Sequence, residues 1–227
     1  STAYLTGMAA VKASNSMVRL ITEKGAEYLG KEPEEVDFDG EQVFAKDGSA
    51  SISLKDIGNR AMANNGKALE VTESHSSPVS PPPFMVGMAE IEMDKETCDF
   101  ELVNYVAVVD CGTPINPAIV RVQTEGGLGQ GIGMAMFEDV TRSEKGQVYE
   151  NSFMQYKLPT RVDVGNIQVE FESSYEPTGP FGVKSIGEVV INTPSPAIAA
   201  AVAAATGVQI RELPITAEKI FRAKHEM

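Results

Sequence analysis

One carboxylate closes a stretch that cannot be a regular helix or strand. The run Glu176-Pro-Thr-Gly-Pro-Phe-Gly-Val-Lys-Ser-Ile-Gly-Glu188 has four Gly or Pro residues in its first seven, so it must be a loop. Backbone with so little side chain can approach a ligand closely. Glu188 is followed by Val189-Val190-Ile191, and a carboxylate desolvated by apolar neighbours has its charged form disfavoured, which suits a general base working near neutral pH. A proline-rich surface loop with a solvated Glu is the plainer reading on composition alone. The second chemical candidate is Gln130, inside Glu125-Gly-Gly-Leu-Gly-Gln-Gly-Ile-Gly133. Its amide both donates and accepts.

Four blocks, taken together in order, carry a resemblance. Gly182-Val-Lys-Ser-Ile-Gly-Glu188 resembles the Gly-Ala-Lys-Gly-x-Gly-Glu signature of the xanthine dehydrogenase family of molybdenum hydroxylases. Val109-Asp-Cys-Gly-Thr-Pro-Ile-Asn-Pro117, Glu125 to Gly133, and Ser152-Phe-Met-Gln-Tyr-Lys-Leu-Pro-Thr160 are similar to three further blocks of that family. The resemblance implies an α+β fold of mixed β-sheets with flanking helices, the molybdopterin-binding domain of those enzymes. It implies Glu188 as the catalytic base beside molybdenum. It also implies cofactor contacts from Gln130 with Gly129 and Gly131, from Lys184, Ser185, Ile186 and Gly187, and from a short match at Ser1-Thr2. No metal ligand is expected from the protein.

The implied reaction is hydroxylation, with oxygen from water, of a carbon beside nitrogen in a purine- or nicotinate-like ring, or of an aldehyde carbon. The implied cofactor is molybdopterin in its cytosine dinucleotide form, with Fe–S clusters and FAD on partner chains. The partners would be a larger molybdopterin-binding subunit, an iron–sulfur subunit and an FAD subunit. The family's molybdenum subunit is several times longer, so this chain is expected to hold half a site, with upstream residues on another polypeptide or removed. Ser185 and Val189 depart from the common pattern and leave the substrate open. A non-catalytic assembly subunit is the rival reading.

Composition agrees with a packed domain or two: 227 residues, 42% hydrophobic and 22% charged,. A net charge of -13 argues against nucleic acid and anionic membrane. The longest apolar run, around Ala197 to Thr206, is shorter than the ~20 residues of a bilayer span, and no secretory start is evident. A cytoplasmic protein is expected. Cys98 and Cys111 cannot hold a cluster that needs four thiolates and read as buried or half-buried free thiols. His75 and His225 have no second ligand at useful spacing.

Elements must position these groups. Residues 1 to about 30 read as a helix with Met8, Val11, Val18 and Ile21 on one face, closed by Gly30. Short strands follow around Asp39-Gly40, then a helix from Ser53 to Ala63 capped by Ser53. Glu73 to Pro83 is a Pro/Ser linker. It divides an N-terminal subdomain, 1–83, from a cofactor-binding subdomain, 84–227. Met85 to Met93 alternates as a strand. Phe100 to Asp110 ends so apolar that a strand buried on both faces is expected, with Asp110 as a turn former.

Pro117 to Asp139 reads as a helix interrupted by glycines, each costing about 1 kcal/mol against Ala. Either a bulky pterin or a close helix–sheet crossing would explain them; a packed amide at a helix crossing is the alternative for Gln130. Ser143 to Gly146 is a hairpin turn and Ile167 to Phe171 a strand. A buried alanine-rich helix runs from Pro196 to Thr206, with Ser195 as cap and Gly207 as terminator. Ile210 to Leu213 would be a closing strand and Pro214 to Met227 a last helix.

Overall fold

The computed structural model describes residues 2–225 and divides into two compact units, residues 1–80 and 81–227. In the first, one π-helical turn (Thr2–Thr6) leads into helix α1 (Gly7–Leu29). Gly30 stops the helix in the left-handed conformation (φ 66°), its N–H reaching the carbonyls of Ala26 and Glu27,. The buried face is carried by Tyr4, Ile21 and Ala26, whereas Val18 is exposed. Val43 presses so closely on Gly25 that a Cβ there would meet its side chain at 2.6 Å.

That valine lies in a three-stranded antiparallel sheet, β1 (Val36–Phe38), β2 (Gln42–Ala45) and β3 (Ser51–Ser53). Three residues are too few to show alternation, and β3 went unseen in the sequence. Helix α2 (Leu54–Asn65) starts as expected, Ser53 Oγ accepting the Asp56 N–H at 3.1 Å,.

The second unit is built on strands β4 (Phe84–Met93), β5 (Phe100–Asp110) and β6 (Asn166–Phe171). β4 and β5 are antiparallel, β5 and β6 parallel, so this sheet is mixed. Its inner face (Met85, Ala89 and Ile91 on β4; Leu102, Tyr105, Ala107 and Val109 on β5; Val169 on β6) packs a core shared with helices α3 (Pro117–Met136) and α4 (Pro194–Thr206). The expectation that β5 is buried on both faces does not hold: Val103 and Val108 are exposed. Among the described residues, helices α3 and α4 pack on the inner face of this sheet. Cys98 and Cys111 are buried free thiols.

Helix α3 is continuous, not interrupted. Asn116 caps it through the Ile119 N–H (3.2 Å) and Pro117 occupies its first turn,. α4 begins two residues earlier than expected, with Pro194 in its first turn and no side-chain cap, because Thr193 Oγ1 instead accepts the Tyr105 hydroxyl (2.8 Å). Only one side of α4 is buried, through Pro194, Ile198 and Val202.

Residues 189–206 average a hydropathy of 1.4 over 18 residues, longer than the apolar run read from the sequence. They are split between a 3-10 turn (Val189–Ile191) and the 13-residue α4, which at about 1.5 Å per residue is too short for a span. Ile210 to Leu213 forms no strand; this stretch turns into Ile215, whose N–H bonds the Ala135 carbonyl at the end of α3 (2.7 Å). The last helix, α5, covers Ala217–His225.

Candidate functional site

The loop ending at Glu188 is held from both sides. On one side it lies along the extension of β5, where Gly112 and Val183 form an antiparallel bridge. The Thr113 N–H reaches Gly182 O (2.8 Å) and the Lys184 N–H reaches Cys111 O (2.7 Å). Gly112 takes φ 70°, and a Cβ there would lie 2.3 Å from the Gly182 carbonyl oxygen. Only glycine fits this position.

Asp110 is the turn former expected from the sequence, accepting the Gly112 N–H at 3.0 Å. It also accepts the Ser174 hydroxyl (2.5 Å) and pairs with Lys184 Nζ at 2.7 Å. Partial burial pushes this carboxyl up, but the Lys184 ammonium, the Ser174 hydroxyl and the Gly112 N–H outweigh it and hold Asp110 below the usual carboxylate range,. Lys184, expected among the cofactor contacts, is buried and spends its charge on this anchor.

On the other side the loop meets α3. Gln123 Nε2 donates to the Gly187 carbonyl oxygen at 3.1 Å, fixing the peptide that precedes Glu188. Gln123, Gly126, Gly127 and Gln130 recur at three, four and seven residues and so share one helix face. With Val122, Ile191, Gly187 and Glu188 they line a cleft of about 390 Å³. Gln130 is exposed there, its amide making no hydrogen bond among the described residues. The expected desolvation of Glu188 is absent from this chain: the carboxylate is exposed at the rim, while Val190 behind it is buried.

The glycines of α3 divide by partner. A Cβ on Gly127 would meet Val190 Cγ2 at 2.1 Å, and one on Gly131 would meet Pro194 Cγ at 2.6 Å and Ile191 O at 2.8 Å. These positions admit the 3-10 turn and the start of α4, so the close crossing is helix against turn, not helix against sheet. Gly126 and Gly129 face open space, with nothing within 4 Å of such a Cβ.

Of the residues read from the sequence, the structure brings Gln130, Gly187 and Glu188 to one cleft. Gly129, Gly131, Lys184, Ser185 and Ile186 do not line it, and Ile186 packs against the core. Thr2 belongs to the first unit, and Ser1 lies outside the described residues. The sequence reading missed Gln123, Ser174 and Phe181. Gln123 was recoverable from its helical spacing to Gln130. Phe181 carried no signal: it sits in the loop at φ 56° with 69% of its surface exposed, a conformation uncommon for a bulky residue.

Residues 1–165 match the molybdopterin cofactor-binding domain. The chain belongs to that family. It is similar to a xanthine dehydrogenase molybdenum-binding subunit of Escherichia coli O157:H7, with 31% identity over 96% of the chain and 27% of that protein. It is equally similar, at 31% over 96% of the chain, to the 6-hydroxypseudooxynicotine dehydrogenase complex subunit gamma of Paenarthrobacter nicotinovorans, of which it covers 28%. Its fold is that of quinoline 2-oxidoreductase from Pseudomonas putida 86 (TM-score 0.76, 26% identity), where 99% of the chain matches 30% of that structure. The chain thus spans 27–30% of the length of these three proteins.

The cleft fits such a cofactor in its chemistry. The Gln130 amide can meet the donors and acceptors of a pterin edge, and Gly126 leaves the helix backbone approachable. Among the described residues no three His, Cys, Asp or Glu side chains gather as a metal site.

Proposed function

We propose that this chain forms the molybdopterin-facing half of a molybdenum hydroxylase active site, with Glu188 as its base. The observation that carries the reading is the convergence of Gln130 and Glu188 on one cleft from segments 58 residues apart. The cofactor when bound supplies a two-electron acceptor. Gln130 holds its edge through the amide, and Gln123 fixes the Gly187 peptide so that the Glu188 carboxylate faces the cleft. A Glu188 oxygen takes the proton from the water-derived oxygen that attacks the substrate carbon, and the hydride lost from that carbon would pass to the cofactor's two-electron acceptor. General base assistance of this kind contributes about 10²–10⁴-fold. The substrate is an N-heteroaromatic of purine or nicotinate type or an aldehyde, and the cofactor is the cytosine dinucleotide form.

Exposure of Glu188 means that the remaining walls come from elsewhere. A larger molybdopterin-binding subunit closes the cleft, and iron–sulfur and FAD subunits take the electrons, since two buried thiols cannot hold a cluster,. In the assembled enzyme, Glu188→Gln keeps shape and hydrogen bonding but removes basicity. The expected result is a kcat lowered by about 10²–10⁴-fold with KM little changed, at unaltered molybdenum content. Turnover within about threefold of wild type, molybdenum being retained, would favour the non-catalytic assembly subunit instead.

A further inference from the structure

The outer face of the second unit's sheet carries an apolar patch on β4 and β5, bordered by Gln168 and Glu170 of β6. Phe84, Val86 and Met88 on β4 point away from the core and are 61%, 65% and 59% exposed. Their register partners on β5 continue the patch, Val108 beside Val86 and Val106 beside Met88. β4 is also an edge strand, paired among the described residues with β5 alone. A long edge strand with an apolar face is a template for association and is normally blunted or covered. Glu90, Glu92 and the register shift at Glu90/Ile91 blunt the far end of the strand, but no proline or charged side chain interrupts residues 84–89.

We infer that this face docks the larger molybdopterin-binding polypeptide, the partner named above, and the inference rests on that reading. Three observations favour this occupant over a second copy of the chain. First, the chain spans 27% of the E. coli relative's length, so most of what surrounds this domain in such a protein lies outside it. Second, the patch adjoins the loop of the site: Lys184 Nζ lies 5.5 Å from the centroid of the Phe84 ring, four residues before Glu188. Third, the rim is acidic, with Glu90 and Glu92 along β4 and Glu170 on β6. Two copies stacked on this face would bring these carboxylates together, and like charges across an interface are unfavourable. The occupant presents an apolar surface with basic or neutral flanks.

The test uses the native complex. A photo-crosslinking residue, p-benzoylphenylalanine, replaces Val86, with the same residue at the exposed turn position Glu144 as control. Mass spectrometry of the Val86 adduct should identify the larger molybdopterin-binding polypeptide, and the control should not. In parallel, Met88→Lys should weaken capture of that polypeptide by about 100-fold or more, because the charge is desolvated on docking, while the chain's own melting temperature stays within a few degrees. An adduct to a second copy, to an unrelated protein or to nothing, or a Met88→Lys chain that assembles like wild type, would overturn the proposal. Failure of the functional reading is seen separately: a complex that crosslinks as expected but holds no molybdenum refutes the activity and leaves the docking face intact.

Discussion

Helix α3 shows two kinds of glycine a few residues apart. Gly127 and Gly131 lie under Val190, Ile191 and Pro194, with no room for a methyl group. Gly126 and Gly129 stand clear. The first pair is there to let another element of the chain come close. The second pair has no such reason within the chain, yet each glycine costs about 1 kcal/mol relative to Ala in a helix interior. Of the two, only Gly126 lines the cleft with Gln130 and Glu188, where the proposed cofactor would approach the helix backbone. The glycines of one helix therefore separate folding from binding.

The largest break in that comparison comes from the packed pair. In Gly131→Val the new Cβ meets the Pro194 ring and the Ile191 carbonyl, both fixed by backbone, so neither can swing aside as a flexible side chain would. A loss of about 3 kcal/mol is expected, the upper end of ordinary overpacking, and the misplaced turn Val189–Ile191 should carry Glu188 with it. Denaturant unfolding of the assembled protein reads the first effect and residual turnover the second. A stability unchanged within about 0.5 kcal/mol would show that the turn does not press on the helix.

An intermediate effect is expected at the loop's other attachment. Lys184→Met removes the ammonium and leaves the Asp110 carboxylate, only 20% exposed, with Ser174 and Gly112 alone. Removing one partner of a fully buried pair costs about 3–5 kcal/mol; partial exposure of Asp110 reduces this to about 2 kcal/mol. The same anchor predicts a pH dependence. Asp110 is held below its ordinary range in the fold, so its contribution is fully present above the unfolded carboxyl value near 3.9 and is lost as pH falls through the lower folded value. Wild type should therefore lose stability below about pH 4 more steeply than Lys184→Met. Parallel acid limbs would show that the pair does not anchor the loop.

Local signals are legible in the sequence. Gly30 ends α1, Ser53 caps α2 and Gly207 ends α4, because each cap depends on a few consecutive residues. The Gln130–Glu188 pairing followed from a family resemblance, not from spacing. What escaped was set by distant partners. Asp110 and Lys184 are 74 residues apart in sequence, and neither alone announces an ion pair. Continuity along β5 suggested burial on both faces, yet the faces differ in what covers them, which a pattern of Val and Ala cannot encode. Glu188 was expected to be desolvated by the valines after it; those turn inward, and the carboxylate stays at the rim.

The smallest effect is the sharpest test of the two glycine classes. Gly126→Ala and Gly129→Ala add a methyl group into open space, so both should stabilise the isolated fold by about 0.5–1 kcal/mol through helix propensity. Their consequences for binding should then part. Gly126 lines the cleft with Gln130 and Glu188, whereas Gly129 does not. In the assembled enzyme Gly126→Ala should lower molybdenum and pterin content severalfold, as the methyl group stands where the cofactor would approach the backbone. Gly129→Ala should load normally. Metal analysis beside thermal unfolding of the two variants reads both quantities. If Gly126→Ala gains stability and still loads fully, the open glycine is not a cofactor contact, and the cleft must receive its ligand from the Glu188 side alone.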